Sequence, residues 1–106
     1  MKKNKIFSLL GLATRSRNVV SGEFMTEKAV KSYSAELVIV GEDASDNTKK
    51  KFINKCDFYG IPYVVYGTQN IIGHMIGKGD RTCLAIVDEG FGKQFVKKFG
   101  IKDQEV

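Results

Sequence analysis

Glu36-Leu37-Val38-Ile39-Val40-Gly41-Glu42-Asp43-Ala44-Ser45 is the stretch that decides the fold of this chain. Its Leu-Val-Ile-Val run is apolar at every position, which reads as a strand covered on both faces, because a strand with one wet face would alternate. The pattern recurs in Gly60-Ile61-Pro62-Tyr63-Val64-Val65-Tyr66-Gly67, another short β-branched run closed by glycine. Between the two, Ser45 and Asp46 can cap a helix running to about Tyr59, with Phe52, Ile53, Cys56 and Tyr59 on its inner face. The result is a βαβ unit.

Working outward, residues 3–15 place Ile6, Leu9, Leu10 and Ala13 on one helical face. Asn18 to Ser21 reads as a short strand and Gly22 to Tyr33 as a second helix. Pro62 opens the strand Tyr63–Tyr66, at an edge position that tolerates a missing N–H. Thr68 caps a short helix carrying Ile71, Ile72, Met75 and Ile76; Cys83–Val87 is a last strand, and Phe91, Phe95, Val96 and Phe99 mark a closing helix. The polar tail from Lys102 is expected to fray. Regular alternation of this kind predicts an α/β fold, a three-layer α/β/α sandwich around a four-stranded mixed sheet, as a single domain over residues 1–106.

Seventeen basic residues oppose twelve acidic ones, for a net charge of +5. The excess is concentrated in the first half, with ten against six in residues 1–53 and seven against six in residues 54–106. A basic excess suits a polyanionic partner, since neutralising phosphates releases condensed counterions, although lysine also serves simply as a solubilising residue. Cys56 and Cys83 lie far apart with no second cysteine or histidine at metal-ligand spacing, and read as reduced core residues of a cytoplasmic protein. The basic-then-apolar start imitates a signal peptide loosely, but its apolar run is short, falls on a helical face and lacks a cleavage site. No run reaches the roughly 18 apolar residues needed to cross a membrane.

Several catalytic readings fail. Gly73, Gly77-Lys78 and Gly79 miss the phosphate-loop spacing by one residue and put glycine where a hydroxyl is required. His74, the single histidine, has no nucleophile context. Glu42-Asp43 sits just beyond a strand, where α/β proteins often place active carboxylates, but no acid/base partner accompanies it. Nothing calls for a cofactor or a metal, and no enzyme is expected.

The second helix offers a better candidate. At about 100° per residue, Met25, Thr26, Ala29, Val30 and Tyr33 gather on an inner face, leaving Phe24, Glu27, Lys28 and Lys31 outside. Phe24 thus falls among lysines near a helix start, shortly after Arg15 and Arg17. Such a start attracts phosphate, lysines one turn on can hold a backbone, and an aromatic ring can stack on an unpaired base. The alternative is a ring that staples the helix to the preceding strand beside merely solvated lysines. Lys49, Lys50, Lys51 and Lys55 lie opposite the apolar stripe of their own helix and read as its wet face.

The order of elements, with Leu10-Gly11-Leu12-Ala13-Thr14-Arg15, Val20-Ser21-Gly22-Glu23, Ala35 to Asp43, Cys56 to Gly67 and Ile72-Gly73-His74-Met75-Ile76-Gly77, resembles the kink-turn-binding ribosomal proteins, the large-subunit seven-Ae and thirty-e type and its small bacterial members. The resemblance covers nearly the whole chain. It implies a non-catalytic protein that binds structured RNA, bent or kink-turn-like, in association with the ribosome or translation; a monomer is expected. Gly22 and Glu23 would open the helix that reads the widened groove, and Lys28 would contact backbone or guanine. Ile72, Gly73 and Ile76 would belong to a loop covering a flipped-out base, and Glu42 would orient the site. Arg15, Arg17 and Lys31 would add electrostatics. Where the family's kink-turn readers carry an Asn-Glu pair, this chain has Phe24 and Met25. A second reading makes it a protein–protein adaptor for ribosomal, translation or transcription proteins, with Phe24 as an anchor.

Overall fold

The computed structural model describes residues 5–101. Along them run α1 (Lys5–Arg15), β1 (Val19–Ser21), α2 (Glu23–Lys31), β2 (Leu37–Val40), α3 (Asp46–Tyr59), β3 (Tyr63–Val65), α4 (Gln69–Met75), β4 (Cys83–Ile86) and α5 (Glu89–Phe99). The expected tail and the first residues of the expected N-terminal helix lie outside the described residues.

The strands form one mixed sheet in the order β1-β4-β2-β3. β4 pairs antiparallel with both β1 and β2, while β2 pairs parallel with β3. Pro62 therefore precedes an edge strand, where its missing N–H costs no ladder bond and its carbonyl still accepts from Val38 N at 3.0 Å. Every residue of β2 and β4 is buried, and the alternation of the strands assigns each to one of two cores. Leu37, Ile39, Leu84 and Ile86 meet Leu9, Leu10 and Ala13 of α1, Ile72 of α4 and Phe95 of α5. Val38, Val40, Cys83 and Ala85 meet Ala29 and Val30 of α2 and Phe52 and Cys56 of α3. Three layers result, with α1, α4 and α5 on one face of the sheet and α2 and α3 on the other.

The caps anticipated in the sequence are in place. Ser45 Oγ accepts from Thr48 N at 3.1 Å and Thr68 Oγ1 accepts from Ile71 N at 3.2 Å, each satisfying an orphan first-turn amide. α3 ends on Gly60, whose φ of 71° is the left-handed conformation that glycine adopts without a Cβ penalty. Both cysteines are buried and unpaired. Burial is the main reason their thiols are pushed up, Cys56 to about 12 and Cys83 to about 11. The Thr26 hydroxyl acts against this at Cys83 without making a hydrogen bond of ordinary geometry.

Two expectations about helix faces need correction. The inner face of α2 is only Thr26, Ala29 and Val30, whereas Met25 is 41 % and Tyr33 65 % exposed. The helix stops at Lys31, and Tyr33 follows with φ 61°, so helical periodicity no longer applies to it. Likewise, Lys51 and Lys55 are more than a wet face. Lys51 Nζ lies 3.1 Å from Glu27 Oε1 and 3.9 Å from Glu23 Oε1, and Lys55 Nζ lies 3.4 Å from Glu27 Oε2, tying α3 to α2.

Candidate functional site

Sheet topology sorts the loops onto two opposite ends. The junction between β1 and α2, the loop after β2, the loop after β3 and the turn before β4 all share the end where β4 begins. Hydrogen bonds knit them into a continuous ridge. Gly22 N donates to Cys83 O at 2.9 Å, and Gly41 N donates to Thr82 O at 2.8 Å. Glu42 N donates to Gly67 O at 2.7 Å, while Gly67 N donates back to Glu42 Oε2 at 3.0 Å.

The next carboxylate extends the ridge. Asp43 Oδ1 accepts from Gln69 N at 2.9 Å, and Gln69 Nε2 donates to the Asp43 carbonyl at 3.2 Å. Gln69 also accepts from Thr82 Oγ1 at 3.0 Å and, through its carbonyl, from Arg81 N at 3.1 Å. The Glu42–Asp43 pair is thus engaged in fixing loops. Among the described residues no cluster of three His, Cys, Asp or Glu could hold a metal ion.

At one end of this ridge stands the start of α2. Gly22 is its N-cap, at φ 88° and with no side-chain cap, so first-turn amides are left without a side-chain partner. Glycine suits this position for its left-handed φ. One turn on, Lys28 is exposed and makes no ion pair among the described residues. Phe24 is 76 % exposed, so it does not staple the helix to β1. Phe24, Glu27, Lys28, Lys31 and Ser32 line a shallow trough of about 410 Å³ along the outer face of α2. Glu27 is the electrostatic centre of that face. Lys51, Lys55 and Lys31 surround its carboxyl, the last at 3.6 Å, and hold it below the ordinary carboxylate value. Lys31 is therefore paired with Glu27, whereas Lys28 has no acidic partner among the described residues.

Gly22, Glu23, Phe24, Lys28 and Glu42 come together at or beside the ridge, with Lys31 two turns along α2. Two other groups differ from expectation. Arg15 and Arg17 flank the α1–β1 turn at the opposite end of β1, where Asn18 O accepts from Val87 N at 2.9 Å. Their nearness to Phe24 in sequence is cancelled by the intervening strand. Ile72, Gly73 and Ile76 are not in a loop: they lie in α4 and at its C-cap, and are buried. The exposed apolar residue of α4 is Ile71, and the exposed loop is Gly77–Asp80, which folds back so that Lys78 N donates to Gly73 O at 2.8 Å.

Sequence reasoning missed Arg81. Its Nε donates to Ser21 Oγ at 3.1 Å and its Nη1 to the Asp80 carbonyl at 3.0 Å, with a longer contact to Gly79 O at 3.4 Å. No local signal marks a bond across sixty positions, and only the antiparallel pairing of β1 with β4 creates it.

Comparison with known proteins identifies the family and the fold. The sequence profile of the ribosomal protein L7Ae/L30e/S12e/Gadd45 family matches residues 4–96. The chain is 43 % identical over 90 residues to the RNA-binding protein YlxQ of Bacillus subtilis (strain 168), covering 85 % of this chain and 90 % of that protein. It is 38 % identical over 92 residues to YlxQ of Enterococcus faecium, covering 87 % and 88 % respectively. A solved structure of a protein of unknown function from Bacillus halodurans C superposes with a TM-score of 0.86 at 40 % identity, covering 90 % of this chain and 96 % of that one. The Giardia lamblia 15.5kD RNA binding protein shares the fold at a TM-score of 0.76 and 21 % identity, covering 92 % of this chain and 90 % of its own.

Proposed function

The chain belongs to the ribosomal protein L7Ae/L30e/S12e/Gadd45 family, and from that premise we propose that it is a non-catalytic RNA-binding protein of the cytoplasm that recognises bent, kink-turn-like RNA in association with translation. The observation that carries this reading is the start of α2, without a side-chain cap, beside a Lys28 that makes no ion pair among the described residues, on a hydrogen-bonded ridge, in a chain 43 % identical to a protein named for RNA binding.

The parts act as follows. First-turn amides of α2 and Lys28 take phosphate or a guanine edge. Gly22 and Glu23 set the approach of backbone, and Phe24 supplies a ring on which an unpaired base stacks. Glu42 orients the site by clamping Gly67, and Ile71 offers an apolar cover to a flipped-out base. Ile72, Gly73 and Ile76 support that cover from beneath as core residues. Arg15 and Arg17, on the far end of the sheet, contribute long-range attraction together with Lys31. Because Phe24 and Met25 occupy the positions of an Asn-Glu pair, discrimination rests more on RNA shape and stacking than on polar reading of guanine edges. Binding then favours the bent conformer by population shift.

The test is a titration against a kink-turn RNA and a length-matched duplex across a salt series, with dyes reporting the bend. Tight, bend-coupled binding to the kink-turn alone is the expected result. Equal and steeply salt-dependent binding to both would reduce the function to general RNA affinity.

One observation favours the adaptor reading as a second possibility. Phe58, 80 % exposed, and Tyr33 both pack edge-on against Tyr59, at centroid distances of 5.0 and 5.3 Å. This aromatic cluster sits at the ends of α2 and α3, away from the ridge, in a form suited to a protein pocket. Failure to bind either RNA, with retention by a translation protein, would put this reading first.

A further inference from the structure

We infer that Arg81 is a positioning residue for the RNA site: its guanidinium locks the Gly77–Asp80 turn to the last residue of β1, so that the turn and the start of α2 form one preformed surface. The role rests on the RNA-binding reading above.

The argument begins with what the guanidinium touches. Arg81 Nε donates to Ser21 Oγ, and Ser21 immediately precedes the Gly22 N-cap. Arg81 Nη1 donates to the carbonyls of Asp80 and Gly79 within the turn itself. One planar fork thus bridges two loops that the chain separates by about sixty residues, in a way that a lysine ammonium cannot copy.

The rest of the turn is anchored on its other side. Asn70 Nδ2 donates to Asp80 Oδ1 at 3.2 Å, and Lys78 N donates to Gly73 O at 2.8 Å. Both bonds fasten the turn to α4, but neither reaches α2. Among the described residues, Arg81 supplies the side-chain link between the turn and the β1–α2 junction. Its Nε and Nη1 hydrogens are engaged within the protein, which distinguishes it from Lys28, which makes no ion pair among the described residues.

The consequence is a specific signature. A residue that contacts phosphate lowers the salt slope when removed, whereas one that only holds the surface in shape lowers affinity and leaves the slope alone. If the turn occupies its bound position in only a tenth of molecules after the link is cut, apparent affinity falls about tenfold.

The experiment compares wild type, Arg81→Lys, Arg81→Ala and Ser21→Ala. Kink-turn RNA is titrated over a salt series, and amide hydrogen exchange is measured at residues 78 and 81 without RNA. The expected result is roughly tenfold weaker binding for Arg81→Lys and Ser21→Ala with an unchanged salt slope, faster exchange at both amides and an unchanged unfolding midpoint. A slope that falls by about one in Arg81→Ala but holds in Ser21→Ala would make Arg81 a phosphate ligand and overturn the inference. Unaltered exchange in Arg81→Lys would overturn it independently of RNA. Wild-type protein that binds no RNA would instead refute the RNA reading, and this role with it.

Discussion

Gly11 and Gly73 both lie inside helices, and replacing either with alanine separates what propensity dictates from what packing dictates. In a helix interior, alanine is favoured over glycine by roughly 0.5–1 kcal/mol. At Gly11 a new Cβ meets only the far end of Arg15, with Nη1 at 3.7 Å, so Gly11→Ala should realise that gain and raise the melting temperature by a few degrees. At Gly73 the Cβ would collide with the Gly79 carbonyl oxygen and come within 2.6 Å of its carbon. These are backbone atoms, so the whole turn must shift. Overpacking of this kind costs about 1–3 kcal/mol, and the Lys78–Gly73 bond adds about 1 kcal/mol where it breaks. Set against the propensity gain, Gly73→Ala should lose about 1–3 kcal/mol net, a fall of roughly 5–20 °C for a domain of this size. Thermal and urea unfolding followed by circular dichroism measure both variants, with an unchanged urea slope expected. RNA affinity should fall in Gly73→Ala, whose turn is displaced, and hold in Gly11→Ala. Equal stability of the two variants would refute the close approach of the turn to α4.

Three further outcomes are expected. Lys28→Ala should reduce the salt slope of RNA binding by about one, and adding Lys31→Ala should change it less, because Lys31 already pairs with Glu27; an unchanged slope in the double variant, read by fluorescence titration, places the RNA face elsewhere. Glu27→Gln should raise RNA affinity by unmasking Lys31, Lys51 and Lys55, at a stability cost of no more than about 1 kcal/mol, since such pairs are partly solvated. Glu27's carboxyl is held below its ordinary value of 4.5, so its contribution is complete above that pH and disappears as pH falls through the folded value; acid titration of Glu27→Gln should therefore show a shallower loss. Cys56 and Cys83, pushed up to about 12 and about 11, should resist a thiol reagent at pH 8 until the protein unfolds. Their contribution runs the other way, intact below the model-compound value of 9.0 and lost as pH rises through the folded values.

Much of this architecture was legible because its signals are local. Ser45 and Thr68 cap as their hydroxyls require, and Leu37–Val40 announces a doubly covered strand by lacking any polar position. Local reasoning failed where a nearby break or a distant partner intervened. Tyr33 left the inner face because α2 had already ended, a change of backbone that periodicity does not register. Lys55 looked solvated until α2 brought Glu27 within 3.4 Å. Arg15 and Arg17 seemed to adjoin Phe24 because they are close in number, yet a strand carries the chain to the other end of the sheet between them. Arg81 was silent for the converse reason: its acceptor on Ser21 is remote in number and near only once the sheet has formed.

That β4 is both central in the sheet and late in the chain has a consequence for how the protein is made. β1 waits for β4, as Val19 pairs with Ile86, and β2 has β4 as its second neighbour. Before β4 emerges, β2–β3 is the one strand pair of the described sheet that can form; the flanks of β1 and β2 that β4 will cover stay open to stray pairing. Such long-range closure is slow, and it cannot begin until β4 has emerged. A message truncated before the codon for Cys83 would yield a chain without its middle strand, prone to aggregate and a substrate for chaperones or proteases.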